Sequence, residues 1–151
     1  MRNPLSRFFD HPAAASDDAG QPSLQVAACT ILLELAYADG EFTEPEQRFL
    51  VQALSRHFGL DGDAATALIE AADRRRRAAI DDFALTQEIV HGYDLGQKMV
   101  LAEVMWGIVL ADGTVADHEA YLLRKLANLL DLEPAYLSQA RRKAAEAREG
   151  S

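Results

Sequence analysis

Apolar residues recur along most of the chain at intervals of three and four positions, the spacing of an α-helix that buries one face. The clearest set comprises Leu24, Ala28, Ile31, Leu35 and Ala38. No stretch alternates apolar and polar residues over any length, as a half-buried β-strand would. The pattern therefore predicts an all-α, single-domain bundle of about seven helices.

Capping residues, glycines and prolines indicate where these helices begin and end. Ser23 follows Pro22 and is suited to cap the first helix, and Asp94 is suited to open the fifth. Gly59 is suited to the left-handed position after the second helix, which carries residues 49–58. The other predicted helices span residues 64–73, 82–93, 94–111, 117–130 and 133–148.

The N-terminal segment differs from the rest, because residues 10–22 are rich in Pro, Gly, Ala and Asp and predict a flexible tether. Before the tether, Leu5, Phe8 and Phe9 would share one face of a short helix. This segment is either a frayed terminus, which its shortness favours, or a helix that docks on a protein partner or a membrane surface. We expect a flexible segment at 1–22, a helical domain at 23–148 and a disordered tail at 149–151.

The chain also repeats itself with an offset of 73 residues, at which Ala38-Asp39-Gly40 aligns with Ala111-Asp112-Gly113. After a slip of one residue, Phe58-Gly59-Leu60-Asp61 aligns with Leu130-Asp131-Leu132-Glu133. Each half thus contains an apolar helix, an Asp-Gly turn, a second helix and a signal that starts a third. Two copies in so small a chain favour a bundle of two repeats with pseudo-twofold symmetry, in which helix pairs bury each other's apolar faces.

The repeated motif Ala-Asp-Gly-x-apolar-x-x-x-Glu after an apolar helix resembles the TerB family of tellurite-resistance-associated domains. The resemblance covers residues 24–144 and is especially close in the second copy, from Val104-Met105-Trp106 through Leu122-Leu123-Arg124-Lys125-Leu126-Ala127. It implies an all-α domain of the bacterial cytoplasm, associated with stress response and tellurite resistance, with divalent-cation binding and without an established reaction. The sequence departs from the family pattern at Gly107, where the family carries a larger side chain.

Negative charge is concentrated in two windows of the sequence. The 151-residue chain carries 24 Asp and Glu against 15 Lys and Arg, a net charge of −9. Residues 34–46 contain five acids and residues 103–119 contain four, and neither window contains a Lys or Arg, so the remainder of the chain is balanced. A chain without a basic stripe binds phosphate backbones poorly, and no nucleic-acid partner is expected.

Cysteine usage and hydropathy indicate the class of protein. The single cysteine, Cys29, cannot form an internal disulfide, which favours a reducing compartment. Glu34 and Glu103 interrupt the longest apolar runs, which are far shorter than the ~20 residues that a membrane-spanning helix needs. We therefore expect a cytoplasmic protein without a transmembrane segment, with peripheral membrane association left open through the N-terminal segment.

The two Asp-Gly turns match the second half of an EF-hand calcium loop. The first half is absent, because apolar or aromatic residues of the preceding helix stand where its ligands would be. Neither turn can therefore bind a cation alone. A site would need carboxylates from both repeats, namely Asp39, Glu46, Asp112 and Glu119, and such ligands favour Ca²⁺, Mg²⁺ or Mn²⁺.

Helix capping explains some of the same residues without a ligand. Asp-Gly is a common turn sequence, and Thr43 with Glu46 fits a capping box. In favour of a ligand, Asp39 and Asp112 follow predicted helix C-termini, where the helix dipole disfavours an anion by about 0.3–1 kcal/mol. Both interpretations stay open at this stage.

The sequence contains no nucleophile elbow, phosphate-binding loop or dinucleotide fingerprint. His118-Glu119 begins like a zinc-protease motif, but Leu122 stands where the second histidine must be. The basic run 74–77 is interpreted as a solvated face, and Trp106 and Cys29 as core residues.

The leading hypothesis is a non-enzymatic stress and tellurite-resistance module whose acidic face binds a divalent cation, a basic protein partner, or both. The alternative is a metal-dependent hydrolase that uses the paired acidic turns. The sequence assigns neither the partner nor the oligomeric state.

Overall fold

The computed structural model describes residues 20–38, 40–78, 83–111 and 117–149, without the side chains of 20–23, 83, 117–119 and 149. These residues form seven helices and no strand, which confirms the predicted all-α class. The helices are α1 (Gly20–Ala36), α2 (Glu44–Phe58), α3 (Gly62–Ala78), α4 (Phe83–Gly92), α5 (Leu95–Leu110), α6 (Asp117–Leu129) and α7 (Pro134–Glu149). None of them is long and apolar enough to cross a membrane.

Helix α1 begins at Gly20, three residues before the predicted cap Ser23 and inside the predicted tether. Pro22 therefore lies in the first turn, where its missing N–H has no intrahelical partner to lose. The interpretation of Ser23 as the cap was thus wrong, because a proline in the first turn does not end a helix. The candidate N-terminal helix at Leu5 to Phe9 lies outside the described residues.

Helix α3 is longer than predicted, since it extends to Ala78 rather than ending near residue 73. Asp73 forms ion pairs with Arg76 (2.8 Å) and Arg77 (3.1 Å) within the last turns. Pairs at these spacings support a helix, and arginine is itself a good helix former. The basic run 74–77 consequently belongs to the helix.

The predicted caps of α2 and α5 are confirmed. Thr43 and Glu46 form a capping box at the start of α2, and Asp94 and Gln97 form the equivalent box at the start of α5. Gly59 ends α2 in the left-handed conformation, with φ of 72°. These short-range hydrogen bonds satisfy the N–H groups that the first turn of a helix leaves without partners.

The core lies around α1 and α5, which pack against each other. In both halves of the chain the first helix packs most extensively on the third, α1 on α3 and α5 on α7. The two repeats therefore share the packing of their first helix on their third. Ten of the 16 residues of α5 are buried, as its nearly continuous apolar sequence predicts for a helix surrounded by others.

The ends of α2 and α6 show the repeat at the level of the backbone. Asp131 has φ of 64° and occupies the position that Gly59 occupies in the first half. The N–H of Leu132 donates to the carbonyl of Ala127, and the N–H of Asp131 to that of Asn128, each at 3.0 Å. These bonds form a Schellman motif, which normally places glycine at the position of Asp131.

Exchange of residue type at these two positions should change stability in opposite directions. Asp131→Gly should stabilise the protein by about 0.5 kcal/mol, because glycine has no Cβ to strain the left-handed conformation. Gly59→Ala should destabilise it by about 1 kcal/mol for the converse reason. Urea unfolding measures both, and a destabilised Asp131→Gly variant would show that the aspartate side chain itself stabilises the turn.

Candidate functional site

Of the four carboxylates predicted to bind a cation, Glu46 is the one whose side chain is described. Asp39 and Asp112 lie outside the described residues. Glu119 lies in α6, and its side chain is also outside the description. The joint site of these four residues thus stays a prediction.

Glu46 is fully buried at the start of α2 and takes part in the cap. Its Oε1 accepts hydrogen bonds from the backbone N–H of Thr43 at 2.8 Å and from the hydroxyl of Thr43 at 3.0 Å. The N–H of Glu46 donates to Thr43 Oγ1 at 3.3 Å. The capping interpretation is therefore confirmed for Glu46, and the positive end of the helix dipole further stabilises its carboxylate.

The turn between α1 and α2 presents Glu41 and Glu44 to solvent. Gly40 has φ of 90°, the left-handed backbone expected of the Asp-Gly turn. Glu41 and Glu44 are exposed, and Glu44 pairs with Arg48 at 2.9 Å in an ion pair whose two side chains are 81% and 63% accessible. Such a pair contributes little to stability, so both groups stay available to other ions.

The direction of α2 relative to α5 decides which of their ends lie near each other. Phe49 of α2 lies against Gly107 of α5, whereas His57, two turns later in α2, lines a small cavity of about 10 Å³ together with Val100 and Leu101, which precede Gly107 in α5. Helix α2 therefore runs antiparallel to α5. Its N-terminal end lies towards the C-terminal end of α5, at Leu110 and Ala111.

Within the described part of the chain, no three His, Cys, Asp or Glu side chains are placed to hold a metal ion together. Cys29 is fully buried, and burial raises the pKa of its thiol to about 12. It is therefore a protonated core residue, as predicted, rather than a nucleophile. Trp106 is also buried, with the guanidinium of Arg141 4.8 Å from the centre of its ring.

The basic run of α3 is a solvated face in part, since Arg74 and Arg77 are exposed as the sequence predicts. Arg75 and Arg76 are partly buried. Arg75 pairs with Glu88 of α4, and the guanidinium of Arg76 lies 4.1 Å from the ring centre of Tyr37, beyond the end of α1. These two arginines join α3 to the segments beside it.

Sequence reasoning missed a groove between α2, α5 and α7, which encloses a cavity of about 560 Å³. Small apolar residues form much of its wall, and arginines from two helices lie along it. The groove residues are Pro45, Arg48, Phe49, Gln52, Ala53, Arg56 and His57 of α2, Glu103, Val104, Gly107, Leu110 and Ala111 at α5, and Ala144, Ala147 and Arg148 of α7. These residues come from three separate stretches of the sequence, so no local sequence motif predicts the groove.

Gly107 shapes one wall of this groove. A Cβ at this position would lie 2.0 Å from Cζ of Phe49, so the aromatic ring occupies the space that a side chain would need. The bulk at this point of the wall therefore comes from α2 rather than from α5.

His57 lies in the wall of the groove with 6% of its surface exposed. Its Nδ1 has no hydrogen-bond partner among the described residues. Burial, with a smaller contribution from the charge of Arg56, lowers the pKa of His57 to about 4. The imidazole is therefore neutral at pH 7, with one N–H and one acceptor nitrogen.

Substitution of Gly107 should reveal its contact with Phe49. Gly107→Ala should destabilise the protein by about 1–3 kcal/mol, because the new methyl group forces the ring to move in a packed wall. The control is Gly62→Ala, since a Cβ at Gly62 meets nothing within 4 Å. Urea unfolding should also show that adding Phe49→Leu to Gly107→Ala recovers part of the lost stability, because the smaller side chain makes room for the methyl group. Equal destabilisation by Gly107→Ala and Gly62→Ala would contradict the packing argument.

His57 should make stability fall as the pH drops from about 6.5 towards 4. Its pKa is lower in the folded than in the unfolded state, so the unfolded chain takes up the proton first as the pH falls. Protonation therefore stabilises the unfolded state, and the free energy of unfolding falls by up to about 1.4 kcal/mol per pH unit. Glu103 of α5 and Arg148 of α7 share the groove with it, and both remain in the variant.

Urea unfolding between pH 7 and pH 5 measures this dependence. His57→Phe should flatten the curve, whereas His91→Phe, at an exposed position of α4, should leave its slope unchanged. Parallel curves for the wild type and His57→Phe would contradict the prediction.

Comparison with known proteins places the chain in a family. The family model of tellurite resistance protein TerB matches residues 25–142. No match was found among the curated proteins or among the solved structures. The matched region covers well over half of the chain and runs from within α1 to within α7, so it contains both repeats. The chain therefore belongs to the TerB family.

Proposed function

We propose that this tellurite-resistance-associated module is a non-enzymatic binding protein that acts in the bacterial cytoplasm, as part of a stress response. Its ligand is a divalent cation, a basic protein partner, or a basic partner recruited through the cation. The binding face is formed by the acidic turns that follow α1 and α5. Asp39 and Glu46 from one turn, with Asp112 and Glu119 from the other, are the proposed cation ligands.

The observation that carries this proposal is the antiparallel packing of α2 on α5. Because Phe49 lies against Gly107 and α2 runs antiparallel to α5, the start of α2 lies towards the end of α5, where Ala111 precedes Asp112 in sequence. This direction supports the proposal that acids of the two windows share one face. A shared site requires this proximity, since each turn lacks half of the ligands of a calcium loop.

The charge distribution supports the same face. Residues 34–46 contain five acids and no Lys or Arg, and Glu41 and Glu44 in this window are exposed. A local excess of negative charge attracts cations and basic protein surfaces and raises their association rate. Glu46 already accepts two hydrogen bonds through Oε1, and these bonds cap α2. It would therefore bind a cation only in an arrangement that keeps both hydrogen bonds.

Calcium, magnesium and manganese titrations followed by calorimetry and thermal unfolding test the cation-binding function. We expect at least one cation to bind with a dissociation constant below 1 mM and to raise the melting temperature, since a ligand at ~100 times its Kd stabilises the folded state by about 2.7 kcal/mol. Asp39→Asn with Asp112→Asn should abolish this stabilisation.

The matched control is Glu70→Gln with Glu146→Gln, which removes the same charge at exposed positions outside the two windows. It should keep the metal response. If no cation binds below 1 mM, the cation site is wrong, and a lysine-rich peptide then tests the basic partner alone. A lower peptide affinity in the Asp39→Asn, Asp112→Asn variant, with an unchanged affinity in the control, would support a basic partner. If neither a cation nor the peptide binds, the proposed binding face is wrong.

A further inference from the structure

We propose that the groove between α2, α5 and α7 binds a small organic carboxylate with an elongated apolar body. The carboxylate interacts with His57 and Arg56, and the apolar part lies along Phe49, Val104 and Ala144. Binding at this site requires neither a cation nor the partner proposed above.

The size and composition of the groove suit such a ligand. Its volume of about 560 Å³ falls within the ~300–1,000 Å³ typical of small-molecule sites. Phe49, Val104 and Ala144 supply apolar surface between the polar ends of the groove. A recess with an apolar floor and few convergent polar groups is the usual design of a site for an amphiphilic small molecule.

The charges along the groove favour an anion. Its wall contains three arginines, Arg48, Arg56 and Arg148, against the single acid Glu103, although the chain as a whole carries a net charge of −9. Arg148 donates to the carbonyl of Leu110, and Arg48 forms an exposed pair with Glu44, so both cations lie near the end of the groove opposite His57. A concave surface of one sign raises the local concentration of ligands of the other sign.

His57 supplies the specific polar contact. Its Nδ1 is buried and has no hydrogen-bond partner within the described chain, which is costly for a polar atom. A neutral imidazole carries one N–H, which would donate to a carboxylate oxygen in the groove, and Arg56 next to it in sequence adds the positive charge. An alcohol could accept the same hydrogen bond, but because it is neutral it would not be attracted by the positive charge of Arg56.

Direct binding measurements with n-decanoate, n-decanol and n-decylamine at pH 7, below the concentrations at which they form micelles, test this assignment. We expect decanoate to bind about tenfold more tightly than decanol, because a charge-assisted hydrogen bond is stronger than a neutral one, and decylamine to bind more weakly still. Increasing salt should weaken decanoate binding and leave decanol binding nearly unchanged.

Two pairs of variants separate the groove from other surfaces. Ala147→Trp should block decanoate by filling the groove, and Ala135→Trp, at an exposed position of the same helix outside it, should not. Arg56→Gln should weaken decanoate about tenfold, whereas Arg142→Gln, on the outer surface of α7, should have no effect. Thermal unfolding of each variant without ligand shows whether it is folded.

Equal affinities for decanoate and decanol would overturn the proposal, as would unchanged decanoate binding in the folded Ala147→Trp variant. Sedimentation velocity without ligand tests a competing occupant. A concentration-dependent dimer that Ala147→Trp abolishes and Ala135→Trp preserves would mean that a second copy of the chain fills the groove, and the small-molecule site would then be wrong.

Discussion

The burial of α1 and α5 is the constraint on which the rest of the structure depends. Most side chains between Ala27 and Ala36 are buried, as are ten of the 16 residues of α5. A helix that is apolar on nearly all sides must be covered by other helices, and each large apolar side chain removed from water contributes about 1.5–3 kcal/mol. Helices α3 and α4 cover α1, and α7 covers most of α5.

The polar features of the protein are placed by this core. Inside it, the hydroxyl of Thr30 donates to the carbonyl of Val26 at 2.6 Å, within its own helix. The chain leaves the core at the end of α1, where Glu41 and Glu44 reach solvent. The groove lies where α2 covers α5 less extensively than α7 does, and Gly107 lets the ring of Phe49 approach the backbone there.

Local features were predicted well because their causes are local. The capping box of Thr43 and Glu46, the left-handed Gly59 and the cap at Asp94 each depend on atoms within a few residues of one another. Ser23 shows the limit of the same reasoning, since a cap residue can also lie inside a helix when tertiary packing extends it. The arginines of α3 show another limit: periodicity gives the face on which they lie, but not their contacts with Tyr37 and Glu88.

The sequence by itself determined the all-α class, the two repeats, most helix ends and the concentration of acids after α1 and α5. These follow from period, spacing and residue type, which are properties of neighbouring positions. The tertiary structure alone decided that α2 runs antiparallel to α5, that Phe49 fills the space above Gly107, and that His57 lies buried beside Arg56 in a groove shared by three helices. These depend on which faces of distant helices meet, because the free energy of burying apolar surface has no direction and is gained only when the helices pack together.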